Sequence, residues 1–286
     1  MPGQRPTTLR LRRLAAELRQ LRDGARLSRE DVCRATLINE ATLYRIETAQ
    51  TRPQRRTLTA LLNIYQVAAS DREELLELAR RADEQSWLQS FPADLPGPYL
   101  TYIGFEGQAE SIANYEGLII PGLLQTEDYA RAALQAGLPA ATAEEIDRLV
   151  QVRMARQAVL TRTPPVQLWA IVDEAALHRP VGGERVMSAQ LDRLAKAAEL
   201  PHITLQVIPY HVGGHPGMGG SFAVLRFGQP SEVDVVYVES QAAALFLESP
   251  TDIRRFTRIF EHLRALSLPP ADSVSLMAIA ARTMSA

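Results

Sequence analysis

Two helix starts placed close together constrain this chain more than any other feature. Ser28 has the character of an N-cap, with Glu30 and Asp31 in the turn that follows, and Asn39 is the next N-cap. The first of these helices runs to about Ala35. The second covers Glu40 to Thr48, with Leu43 and Ile46 facing inward. Two short helices joined by about three residues have helix-turn-helix geometry, in which the later helix enters the major groove of DNA. Flanking segments complete the unit. Leu11, Leu14, Ala15, Leu18 and Leu21 recur at helical spacing over Leu9 to Arg22, and Gly24 stops that helix. Pro53 ends the segment after the second short helix. Leu58, Leu61, Leu62 and Tyr65 predict a helix over Arg55 to Val67, and Asp71 is expected to cap a fifth.

Charge separates this all-α head from the rest. Residues 1–70 hold 13 Arg against 6 acidic residues, whereas residues 71–286 hold 18 basic and 27 acidic residues, within a net charge of −2. A basic head on an acidic body is the layout of a nucleic-acid-binding module joined to a separate domain. From Arg80 to Pro98 the character changes. Trp87, Leu88 and Phe91 are followed by Pro92, Pro96 and Pro98, which reads as a docked connector and places the boundary near residue 90. The expected domains are therefore residues 1–90 and 91–286.

The second domain mixes both periodicities. Helical patterning covers Leu100 to Ile112, a Thr126-capped segment carrying Glu127 and Asp128, Glu144 to Leu160, Glu184 to Leu200, Asp252 to Leu266 and Asp272 to Arg282. Val166 to Val172, Ile203 to Pro209, Ser221 to Phe227, Val233 to Val238 and Ala244 to Leu247 read as strands. The later strands are joined too tightly for crossover helices. The fold class is α+β: a five-helix helix-turn-helix domain followed by an α+β domain with a mostly antiparallel sheet.

The stretch Leu27-Ser-Arg-Glu-Asp-Val-Cys33, then Asn39-Glu-Ala-Thr-Leu-Tyr-Arg-Ile-Glu47, then Pro53, resembles the Xre (phage-repressor-like) helix-turn-helix family. That resemblance implies that Arg29 contacts phosphate or base. It puts Asn39, Glu40, Thr42 and Tyr44 on the exposed part of the reading helix, and it makes Arg45 and Arg52 phosphate clamps. The residue types fit, since amides and Arg read purine edges and apolar or hydroxyl groups meet the thymine methyl. Glu40 is either a cytosine reader or a solvated charge at the helix start. Glu47 reads as structural, holding the helix pair together. Two positions depart from the family: its turn glycine is Leu37 here, and the glycine usual after the final Glu is Ala49.

Residues 99–283 carry a second resemblance. Pro121-Gly-Leu-Leu-Gln-Thr-Glu-Asp-Tyr-Ala130, Val152-Arg-Met-Ala-Arg-Gln157, Val172-Asp-Glu-Ala-Ala-Leu177, Val186-Met-Ser-Ala-Gln-Leu191 and Val207-Ile-Pro209 with Gly214-His215 and Val236-Tyr-Val-Glu239 are together similar to the C-terminal domain of actinobacterial WhiJ-like, antitoxin-like Xre regulators. The resemblance implies transcription regulation and a small partner protein encoded beside the regulator.

Chemistry beyond DNA binding is weakly signalled. His211 and His215 have ligand-like spacing but sit in a glycine-rich loop without a committed carboxylate, so no metal is expected. Gly213 to Gly220 lacks the Gly-Lys-Ser/Thr ending of a phosphate-binding loop and precedes a strand. It reads as a plain connection or as a lid over an effector pocket. Ser221 has no nucleophile-elbow context. Asp173 and Glu174 are consecutive and do not form a dyad by themselves. Arg153 and Arg156 neighbour one another on a helix face; with Tyr115, Gln125 and His215 they form a set for an anionic ligand, or else a solvated or salt-bridged face. Cys33 alone supports neither disulfides nor a cysteine-rich metal site, and reads as a small core residue. No cofactor and no enzymatic role are expected. The chain reads as a cytoplasmic, membrane-free regulator that binds a double-stranded DNA operator as a homodimer. Its second domain is expected to sense a small-molecule effector or a small neighbouring-gene protein. The alternative is an antitoxin-like protein whose main role is sequestering that partner.

Overall fold

The structure, a computed structural model, describes residues 9–81, 95, 97–228 and 233–284. The chain divides into two compact units, Met1–Phe105 and Glu106–Ala286. Trp87, Leu88, Phe91, Pro92 and Pro96, and with them the boundary expected near residue 90, lie outside the described residues.

The first unit holds α1 (Leu9–Gly24), α2 (Arg29–Thr36), α3 (Glu40–Glu47), α4 (Arg55–Ile64) and α5 (Ala69–Arg81), followed by α6 (Gly97–Glu106), whose last residue opens the second unit. Leu14, Leu18, Val32, Leu43, Ile46, Leu58, Leu61 and Leu62 form its core, with Cys33 packed at the margin. Both expected caps are present. Ser28 Oγ accepts from the Asp31 amide at 3.1 Å, and Asp31 Oδ2 accepts in return from the Ser28 amide at 3.0 Å. Asn39 Oδ1 accepts from the Ala41 amide at 2.8 Å. The fifth helix differs from expectation. It begins at Ala69, so Asp71 lies in its first turn, where its charge still favours the helix N-terminus.

Each of the first four helices is followed by a non-glycine residue in the left-handed region: Arg26 (φ 56°), Leu37 (57°), Ala49 (56°) and Gln66 (56°). Leu37 and Ala49 are the two positions where glycine was expected from the resemblance, so the backbone keeps the glycine conformation without the glycine. At Arg26, Ala49 and Gln66 the paired closing hydrogen bonds of a Schellman motif are present, such as Ala49 N to Ile46 O at 3.1 Å with Gln50 N to Arg45 O at 2.7 Å. A side chain in this region costs about 1–2 kcal/mol, part of which glycine returns as unfolded-chain entropy. Leu37 is 92% exposed and gives up no packing. Leu37→Gly is therefore expected to raise stability by about 1 kcal/mol, read as a thermal midpoint several degrees higher. An unchanged midpoint would show that the turn is not strained. Ala49→Gly should gain less, because its methyl is buried against Leu11 and Ala15.

The second unit is built on β1 (Ser111–Glu116), β2 (Gln167–Asp173), β3 (Ile203–Ile208), β4 (Phe222–Arg226), β5 (Val235–Glu239) and β6 (Ala244–Leu247), ordered β3-β2-β1-β4-β5-β6. Its helices are α7 (Glu127–Gly137), α8 (Ala143–Arg156), α9 (Glu174–His178), α10 (Glu184–Ala197), α11 (Pro250–Leu266) and α12 (Pro270–Met284). The α+β class is as expected. β4, β5 and β6 pair antiparallel, beginning on β1, while β1, β2 and β3 are parallel and joined through the crossover helices α7–α8 and α9–α10. The expected helix over Leu100 to Ile112 is corrected. It stops at Glu106, and Ser111–Glu116 forms a central strand instead. Ile112 and Tyr115 are buried three residues apart, a helical spacing, whereas Asn114 and Glu116 are polar within a strand. Tyr115, Ile171, Ile208, Phe222, Val224 and Val236 cover one sheet face beneath Phe260 and Leu263 of α11. The outer edge of β3 is closed by Leu268 N donating to Val207 O (2.9 Å) and Val207 N donating to Ser273 Oγ (3.0 Å).

Candidate nucleic-acid interface and a polar sheet end

Helix α3 buries Leu43, Ile46 and Glu47 and turns Glu40, Ala41, Tyr44 and Arg45 outward, with Thr42 half-buried between them. Asn39 opens the helix, and its side chain is engaged as the cap. Arg45 folds back along the helix, Nε donating to Ala41 O at 3.2 Å and Nη2 to Thr42 Oγ1 at 3.4 Å. Arg52 lies beyond the helix, exposed, with Nη1 donating to Ala79 O at 3.4 Å. Glu40, Thr42, Tyr44 and Arg45 thus share one short helix. Ala41, not among the expected contacts, is exposed beside them.

The helix is held from below by one carboxylate. Glu47, its side chain 0% exposed, accepts from Arg22 Nε of α1 at 2.6 Å and from Arg29 Nε of α2 at 2.7 Å. These bonds raise the Arg22 guanidinium above its ordinary value despite its burial. Arg29, expected to contact DNA, is in this structure tied to Glu47 and lies over the Tyr44 ring, its Cζ 5.3 Å from the centroid. One buried carboxylate therefore joins three helices and sets the pose of the exposed row.

The five residues expected to bind a ligand do not form one set. Tyr115 and His215 come together, their rings edge-on with centroids 6.0 Å apart. A Cβ at Gly217 would stand 2.5 Å from Tyr115 Cζ, so the glycine-rich loop can lie on this ring only because that residue is glycine. His215 Nε2 pairs with Asp173 Oδ2 at 3.1 Å, while Asp173 Oδ1 accepts from Ala175 N and caps α9. The next carboxylate, Glu174, accepts from Tyr210 N at 2.7 Å and lies 3.3 Å from His178 Nε2. Two consecutive carboxylates thus tie the β3–β4 connection to the end of β2. Gln125 and Arg153 form a second pair, Arg153 Nη1 donating to Gln125 Oε1 at 3.0 Å and Gln125 Nε2 to Ile120 O at 2.7 Å. Arg156 stands apart in a buried bidentate pair with Glu106, both contacts 2.8 Å. Sequence reading did not include Glu116, at the end of β1, where Asn114 and Ser221 hydrogen-bond its carboxyl. Among the described residues no three His, Cys, Asp or Glu side chains converge as metal ligands, and no helix is long and apolar enough to cross a membrane.

Residues 99–278 match the family described as Domain of unknown function (DUF5753). The chain belongs to this family. Residues 13–75, from α1 into α5, match a helix-turn-helix domain. No curated protein and no solved structure matches the chain. The helix-turn-helix match supports a DNA-binding regulator. The DUF5753 match takes in the whole sheet and the polar groups at its end.

Within the DUF5753 domain, loss of hydration pushes the Glu116 carboxyl up to about 7, against the smaller pull of Ser221, Asn114 and Arg153; Glu239 adds to the rise. The folded value lies above the ordinary one of 4.5, so the fold favours the protonated acid. That contribution is complete at low pH and is lost as pH rises through about 7. Between about pH 5 and 8 the wild type is expected to lose stability relative to Glu116→Gln, which cannot ionise. Urea unfolding midpoints that stay parallel across this range would rule out a raised Glu116.

Proposed function

We propose that the chain is a sequence-specific transcription regulator of the Xre type. Helix α3 enters the major groove of a double-stranded operator, with Asn39, Glu40, Thr42 and Tyr44 on the reading surface and Arg45 and Arg52 against phosphate. The observation that carries this reading is the exposed row on α3, fixed from beneath by Glu47, in a unit whose first 70 residues hold 13 Arg against 6 acidic residues. One reading helix covers only a half-site, so the regulator works as a homodimer. It acts in the cytoplasm and carries out no catalysis. The DUF5753 domain, of the WhiJ-like and antitoxin-like type, senses a small molecule or a small neighbouring-gene protein through the groups at the sheet end.

Fluorescence anisotropy against the chain's own upstream DNA and a scrambled duplex, over a salt series, tests this. Tighter binding to the upstream DNA and a steep loss with salt are expected. The Arg45→Ala, Arg52→Ala double variant should bind more weakly and with a shallower salt slope. Equal affinity for both duplexes would overturn the reading. A second reading, sequestration of a small protein as the main role, is favoured by Leu118 and Met218. They directly follow the two glycines packed on Tyr115 and are 63% and 75% exposed. Stable co-purification with the neighbouring small protein, without DNA binding, would select it.

A further inference from the structure

Arg29 stands where a phosphate contact is expected, yet its surroundings serve a different purpose. Its Nε is committed to Glu47 at 2.7 Å, and its guanidinium lies over the Tyr44 ring at 5.3 Å. Glu47 is itself fixed by Arg22 and has no exposed side-chain surface. The chain of contacts therefore runs from a rigid buried carboxylate, through a planar cation, to an aromatic ring that is 47% exposed on the reading helix. A cation over a ring restrains it and covers one of its faces. Of the outward residues of α3, Glu40 and Arg45 carry charge, and Tyr44 alone offers a large apolar face. In the major groove such a face matches the thymine methyl, the one apolar group that base edges present there.

We propose that Arg29 is a positioning residue, and that the Tyr44 ring it holds selects thymine at one position of each half-site. This rests on the DNA-reading function above. Arg29 then contributes to which sequence is bound rather than to the phosphate contacts.

The full-length chain is first used to select its preferred duplex from a randomised DNA pool. Binding is then measured with uracil in place of each thymine, across a salt series, for the wild type, Arg29→Ala, Arg29→Lys and Tyr44→Ala. At one thymine, loss of the methyl should weaken wild-type binding about five- to tenfold. Arg29→Ala and Tyr44→Ala should both become indifferent to that same methyl. Arg29→Lys, which keeps a cation within reach of Glu47 and the ring, should recover part of the discrimination. The salt slope of Arg29→Ala should match the wild type. A slope shallower by about 0.9 with the methyl preference intact would make Arg29 a phosphate contact and overturn the proposal. Wild type that enriches no sequence at all would overturn the DNA-reading function itself, and this inference with it.

Discussion

Glu47→Ala is expected to destabilise the helix-turn-helix unit by about 3–5 kcal/mol, a large part of the stability of a small domain. Glu47 is fully enclosed, Arg22 is 11% exposed, and Arg29 is 36% exposed on the other side. Removing the carboxylate leaves the Arg22 guanidinium with little water and without its main counter-charge, keeping, among the described residues, the Leu27 carbonyl at 3.0 Å and the exposed Asp23 carboxylate at 2.7 Å. The cost arises from that stranded cation more than from the lost attraction. Glu47→Gln keeps the shape and one acceptor, and should fall between wild type and Ala. Calorimetry on the full chain should show the loss in the transition of the N-terminal unit. A midpoint for Glu47→Ala within a degree or two of wild type would mean that the three-helix knot contributes little.

The second large effect lies in the other unit. Glu106 and Arg156 are 1% and 7% exposed and meet through two parallel 2.8 Å contacts. Either Glu106→Ala or Arg156→Ala should cost about 3–5 kcal/mol, because each strands a buried charge. Replacing both with leucine removes two desolvation penalties together, and should cost far less than the two single changes combined. A urea-unfolding cycle reads the coupling directly. Additive single and double variants would show that the pair is not coupled. This result would also fix the assignment of Arg156, whose sequence neighbourhood places it beside Arg153 although its partner lies on α6, 50 residues earlier.

What the sequence reveals follows the range of each interaction. Caps act over two or three residues, so Ser28, Asn39 and Thr126 were legible, and with them the starts of α2, α3 and α7. The hairpin strands β4 to β6 were legible because neighbouring strands are close in the chain. Strand β1 was not. It carries polar residues at both ends and at Asn114, and it gains its partners from β2 and β4, far along the sequence. Glu116 was missed for the same reason, since only the strand places it beside Asn114 and Ser221. The Glu47 contact of Arg29 was not legible either. Its side chain is drawn to Glu47, 18 residues away, by a carboxylate that burial leaves in need of charge.

The left-handed helix ends bear on how such a sequence changes over generations. Arg26, Leu37, Ala49 and Gln66 each occupy a backbone position that glycine would hold with less strain. Arg26, Leu37 and Gln66 are exposed, so stability lies one exchange away at three places outside the core, a reserve that selection has not drawn upon. A lineage that loses stability through a new residue on α3 can recover it at a helix end, without touching the core. Under the proposed function, the exposed row on α3 is thereby free to drift toward new operators while the scaffold beneath it stays folded.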